Sequence, residues 1–125
     1  MTSYPNTQGA AAGAIPVWNT GSLVPVAGLA TAVATGGTAV TAVSGPINGG
    51  YIINPPNLAG QGIGAAEALY IDMVGTPGST DAANNGTTSS LPATGGTFTL
   101  PPLATGVNVK VNAATTGHKF TVVTW

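Results

Sequence analysis

Six titratable side chains in charge or histidine form, plus a scatter of hydroxyls, are all this sequence offers for chemistry: Glu67, Asp72, Asp81, Lys110, Lys119 and His118. Glu67 and Asp72 could serve as an acid and base, but in a strand an odd offset puts them on opposite faces. Strand-end solubility, or pairing with Lys110 or Lys119, is the expected role. A hydrolase built on His118 needs a serine and a carboxylate to meet the ring. The serines lie in loops without a Gly-x-Ser-x-Gly elbow, so a structural or exposed histidine is expected. Asp81, Asn84 and Asn85 put oxygens close together in one loop, yet calcium asks for several oxygens and usually more than one carboxylate. Turn chemistry accounts for them better. Asn85-Gly86-Thr87 matches the N-glycosylation pattern, which matters only in a secretory setting.

With no cysteine there is no disulfide framework and no thiolate metal site. The glycines form neither a dinucleotide fingerprint nor a phosphate loop. No catalytic, metal or cofactor residue is therefore expected, and the chain is not expected to be an enzyme. The aromatic residues Trp18, Trp125, Tyr51 and Tyr70 could line a sugar platform, as in a carbohydrate-binding or adhesin-type module. Core or interface anchoring is the better account, because aromatics supply much of the burial where a core is sparse. Tyr4, Trp18 and Trp125 are singled out as assembly anchors.

The elements that must position these residues read as strands. Gly106 to Asn112 alternates apolar and polar, and His118 to Trp125 is rich in β-branched and aromatic residues. The short loop between them predicts a C-terminal antiparallel hairpin. Thr/Ala/Val runs flanking Gly36-Gly37 predict a second hairpin over residues 30–43. Tyr51-Ile52-Ile53 and Thr97–Leu100 read as short strands. Glu67–Val74, apolar on both alternating faces, reads as a central strand covered on two sides. Residues 57–66 read as a Gly-rich loop or a single helical turn, and 79–96 as a polar loop. Six to eight short strands with turn residues between them predict an all-β fold, a β-sandwich or jelly-roll-like domain with an extended N-terminal arm. Residues 1–45 are assigned to the arm, which holds the residue 30–43 hairpin, and 46–125 to the domain.

Composition narrows the class. Leu, Ile, Val and Phe make up 27 of 125 residues, a thin core for a domain of this size. Only 4% of residues are charged, against about a quarter in an ordinary domain, and none precedes Glu67. Such an uncharged surface suits a chain covered by neighbours rather than a free monomer. No basic patch points to nucleic acid, and no basic amphipathic stretch to a membrane surface. No apolar run reaches transmembrane length, and Met1 to Trp18 lacks the charged region of a signal peptide.

Ile53-Asn54-Pro55, Ala66 to Gly75, Val109 to Asn112 and Gly117-His118-Lys119-Phe120 together resemble small head-surface proteins of tailed bacteriophages and gene-transfer agents. These are β-rich decoration (cement) or head-spike-base proteins. The resemblance covers roughly residues 50–125. It implies localisation on the virion at the capsid surface, with major capsid protein and other copies of the chain, in trimers or other multimers, as partners. A spike or fibre protein is a further implied partner. No enzymatic activity, nucleic acid or membrane partner is implied.

Overall fold

A computed structural model of the chain describes residues 23–56 and 66–125. Tyr4, Trp18 and residues 57–65 lie outside the described residues. Eight strands are present among the described residues: β1 (Val26–Ala27), β2 (Val40–Ser44), β3 (Gly50–Ile53), β4 (Leu69–Asp72), β5 (Thr88–Leu91), β6 (Thr97–Leu100), β7 (Asn108–Asn112) and β8 (Thr121–Thr124). They form two four-stranded sheets, in the orders β1-β8-β3-β6 and β2-β7-β4-β5. Every pairing is antiparallel.

The order has a simple generator. The first strand pairs with the last, the second with the seventh, the third with the sixth and the fourth with the fifth. The chain is thus one long antiparallel ribbon folded at the β4–β5 turn and rolled so that, apart from β4 and β5, consecutive strands fall in opposite sheets. This is the jelly-roll arrangement of a β-sandwich. It places the connections β1–β2, β3–β4, β5–β6 and β7–β8 at one end and β2–β3, β4–β5 and β6–β7 at the other.

Alternation along each strand builds the core. Ile52, Leu100 and Val122 point inward from one sheet, and Val43, Leu69, Ile71, Leu91, Val109 and Val111 from the other, all buried. Phe120, Val33 and Ala113 close the core from the connections. Each buried Val, Leu or Ile contributes about 1.5–3 kcal/mol. Strand β4 is buried at all four positions, as its sequence predicts. Leu69 and Ile71 face the core. Tyr70 and Asp72 face the other way and are covered by the β4–β5 connection, through Tyr70 to Asp81 and Asp72 to Thr87.

Four sequence expectations are corrected. Residues 106–125 do not form a hairpin: β7 pairs with β2 and β4, and β8 with β1 and β3. Neither do residues 30–43. Ala32 bridges to Lys119, while β2 pairs with β7. Period-2 alternation specifies a face, and a rolled ribbon sends neighbours in sequence to different sheets. The polar stretch 79–96 contains strand β5, whose partner β4 overrides the weak propensity of Thr-Ser-Ser. The sandwich also takes in β1 and β2, so its strands lie on both sides of the 45/46 division read from the sequence.

Candidate functional site

The polar residues singled out gather chiefly in two buried knots, the first on connections and the second where the β4–β5 ladder meets its connection. The first closes one end of the roll. Asn54, at the exit of β3, is fully buried. Its amide nitrogen faces the carbonyls of Glu67 (2.9 Å), Leu91 (3.2 Å) and Pro92 (3.0 Å). With Nδ2 spent as donor, Oδ1 is left to accept, and it lies 2.8 Å from Nε2 of His118. The Nε2 nitrogen of His118 therefore carries a proton. Nδ1 lies 3.2 Å from Oε2 of Glu67. Glu67 is held in turn by the N–H and hydroxyl of Thr115, at 2.9 and 2.7 Å.

Backbone bonds complete this end. Val33 N–H donates to the His118 carbonyl and Gly117 N–H to that of Val33, both at 2.8 Å. Gly36 N–H donates to the Thr116 hydroxyl. A Cβ on Gly36 would collide with the Ala114 carbonyl oxygen. All four connections at this end are thereby tied to one another through His118 and Asn54.

Burial pushes the His118 imidazole below its ordinary value, and the Glu67 carboxylate pulls it the other way without overcoming burial. The ring is 1% exposed. A carboxylate does stand within reach of it, as a hydrolase would need. The nitrogen that would take a proton from a nucleophile is, however, already donating to Asn54. The arrangement orients loops; it does not present a base to a substrate.

The second knot lies beneath the β4–β5 connection. Asp72 accepts from the N–H groups of Val74 and Gly75 (2.8 and 2.6 Å) and from the hydroxyls of Thr87 and Thr88 (2.7 and 3.0 Å). Burial alone would raise this carboxyl. The Gly75 N–H, the Thr87 hydroxyl, the Val74 N–H and the Thr88 hydroxyl outweigh it and hold the group at about 2. Asn85 caps the same turn, accepting from Thr87 N–H at 2.9 Å as an Asx turn does. Asp81 accepts from the Tyr70 hydroxyl at 2.9 Å; burial, reinforced by Asp81, raises the Tyr70 pKa.

Glu67 and Asp72 serve separate knots, but not by the expected opposite facing within one strand: Glu67 precedes β4, and the two sit beyond and at its opposite ends. Neither pairs with a lysine: Lys110 Nζ donates to the Thr76 hydroxyl at 3.2 Å. Asp81, Asn84 and Asn85 are not brought to one point, and no cluster of three or more His, Cys, Asp or Glu suited to a metal occurs among the described residues. Trp125 is half-buried and tied down, its N–H donating to the Gly49 carbonyl at 3.0 Å. Its ring lies 6.2 Å from that of Tyr51 at 60°, so the two do not share a flat face.

Sequence reasoning missed Asn54. The only local signal was Asn-Pro-Pro, which marks a strand end; nothing local says that the amide is buried. Thr115, Thr87 and Thr88 were likewise hidden among the chain's many threonines. No protein-family model, curated protein or solved structure matches the chain.

Proposed function

We propose that this protein is a structural component of a virion, on the outer surface of the capsid, where it decorates and stabilises the head or anchors a head spike or fibre. The observation that carries this reading is where the residues of the resemblance go. Asn54, Glu67 and Gly117-His118 converge on the first knot. Asp72 to Gly75 form the second, and Asn112 donates to the carbonyls of Pro77 and Gly37 beside it. The motif residues of this likeness hold a scaffold together rather than line a reaction centre. That is the pattern expected where the shape of the domain is itself the function.

Two further features support the reading. Jelly rolls serve repeatedly as virus-shell domains, an analogy at the level of fold that also extends to lectins. The surface carries almost no charge, and large apolar side chains stand exposed at one edge. Contact over a broad, uncharged face with capsid protein and with other copies, as a trimer or another multimer, would cover it.

The test is binding to shells. Purified chain is mixed with capsids lacking it and sedimented. Saturable cosedimentation, with a copy number set by the shell's symmetry and raised shell stability, is the expected result. Absence of binding at micromolar concentration, together with a chain missing from purified particles by mass spectrometry, would overturn it.

A further inference from the structure

Two Asn-Gly steps occur in the chain, Asn48-Gly49 and Asn85-Gly86, and the fold treats them in opposite ways. The side-chain amide of an asparagine is open to attack by the backbone nitrogen of the residue that follows, and a glycine there, having no Cβ, leaves the approach unhindered. The attack closes a cyclic imide, so it needs a following peptide that is free to turn. At Asn48-Gly49 it is not free. The N–H groups of Asn48 and Gly49 both donate to the Trp125 carbonyl, at 2.6 and 3.3 Å, and Gly49 is buried against the Trp125 ring. Asn85 and Gly86 are both exposed. Among the described residues the Gly86 N–H has no hydrogen-bond partner, and nothing crowds the position a Cβ would take there.

The Asn85 side chain is already bent over the Gly86 peptide. Its Oδ1 accepts from the Thr87 N–H at 2.9 Å, and the hydroxyls of Thr87 and Thr88 stand 2.7 and 3.1 Å from the same oxygen. That oxygen gathers negative charge when the amide carbon is attacked, and donors already aimed at it stabilise the charge. The leaving nitrogen, Nδ2, is held only by a long contact to the Thr76 carbonyl at 3.4 Å. We propose that Asn85 is a site of self-catalysed deamidation, at which the Gly86 nitrogen displaces the side-chain amide nitrogen. The Gly86 nitrogen bonds to Cγ of Asn85 and gives its proton to solvent; the Cγ–Nδ2 bond breaks and ammonia leaves. One water then opens the imide, leaving a carboxylate at position 85, with the chain running through either the α- or the β-carboxyl carbon. The consequence falls on the second knot. The Thr87 and Thr88 hydroxyls also serve Asp72, at 2.7 and 3.0 Å from its Oδ2. Each hydroxyl has one proton to donate, so a carboxylate at position 85 competes with Asp72 for both and sets a like charge beside it. Deamidation thereby loosens the β4–β5 connection. This inference does not depend on the capsid reading.

The second Asn-Gly step supplies an internal control. The full chain is incubated in mildly alkaline buffer, folded or unfolded in guanidinium chloride. Conversion at Asn85 and Asn48 is followed by mass spectrometry of the peptides, with electron-transfer fragmentation to locate both aspartyl forms. The expected result is conversion several-fold faster at Asn85 than at Asn48 in the folded chain, with the two rates drawing level in denaturant. Gly86→Ala, which puts a methyl into open space, slows conversion at position 85 several-fold while circular dichroism shows the sandwich intact. The converted chain unfolds at a lower urea concentration at neutral pH, and the Gly86→Ala chain incubated beside it keeps its midpoint. Conversion at Asn85 no faster than at Asn48 in the folded chain, or indifferent to Gly86→Ala, would overturn the proposal. A converted chain with an unaltered midpoint would overturn the link to Asp72.

Discussion

The two ends of the roll solve the same problem, four or five chain segments meeting at the edge of a thin core, with different forces. At the His118 end, directional bonds join the connections: one amide faces three carbonyls and one imidazole, and one carboxylate meets the imidazole and a threonine. At the opposite end, Val24, Val26, Pro46, Ile47, Leu103 and Trp125 line an open groove that no charged side chain enters among the described residues. Buried polar networks hold a single geometry, because each unpaired member costs about 1–3 kcal/mol. Apolar surface is non-directional and accepts whatever covers it. The second knot, beneath the β4–β5 connection, lies at the same end as the groove, so the contrast is between buried polar networks that each fix one geometry and apolar surface left uncovered among the described residues.

The comparison can be broken most directly at Asn54. Asn54→Ala leaves the carbonyls of Glu67, Leu91 and Pro92 and the His118 Nε2 proton without their partner, an expected loss of about 3–4 kcal/mol. Urea unfolding measures it; a loss under about 1 kcal/mol would show that the closed end is not held by this knot. Gly36→Ala, which drives a methyl into the Ala114 carbonyl, is expected to cost about 2–3 kcal/mol by the same measurement. A tolerated alanine would mean that the β1–β2 and β7–β8 connections move apart freely.

Asp72 sharpens the comparison through pH. Its folded value of about 2 lies below the ordinary 3.8, so the knot adds stability above pH 3.8 that is lost as pH falls through about 2. The shift corresponds to about 2 kcal/mol. Asp72→Asn should lose that amount at pH 6 and converge with the unaltered chain near pH 2. Parallel curves would remove the carboxylate from the account. For His118, whose folded value lies below the ordinary 6.5, stability is present above that value and declines as pH falls through the folded one. His118→Gln should abolish this slope on the acid side of neutrality; a slope that survives belongs to another group. The smallest effect is expected at Val74, which is 83% exposed: Val74→Thr should change stability by less than about 0.5 kcal/mol.

Much of the local structure was legible from residue patterns. The strands at Tyr51–Ile53 and Thr97–Leu100 were visible, and so was the double-sided burial of Leu69–Asp72, because alternation and runs of apolar residues report which faces are covered. The all-β class followed from the same signals. Glu67 and Asp72 do stay apart, but because Glu67 lies outside β4, not because of their odd spacing. What failed was partnership: β7 and β8 look like a hairpin because they are adjacent and patterned, yet their partners are β2 with β4 and β1 with β3.

The sequence by itself determined that this chain makes short strands, buries a modest aliphatic core and carries almost no charge, since propensity, period and composition are local properties. Only the tertiary structure decided that the ribbon rolls, and with it that Asn54, Glu67 and His118 meet while a groove stays open at the far end. Those outcomes depend on which strand lies beside which across the full length of the ribbon. Side-chain alternation fixes a face and leaves the neighbour unspecified.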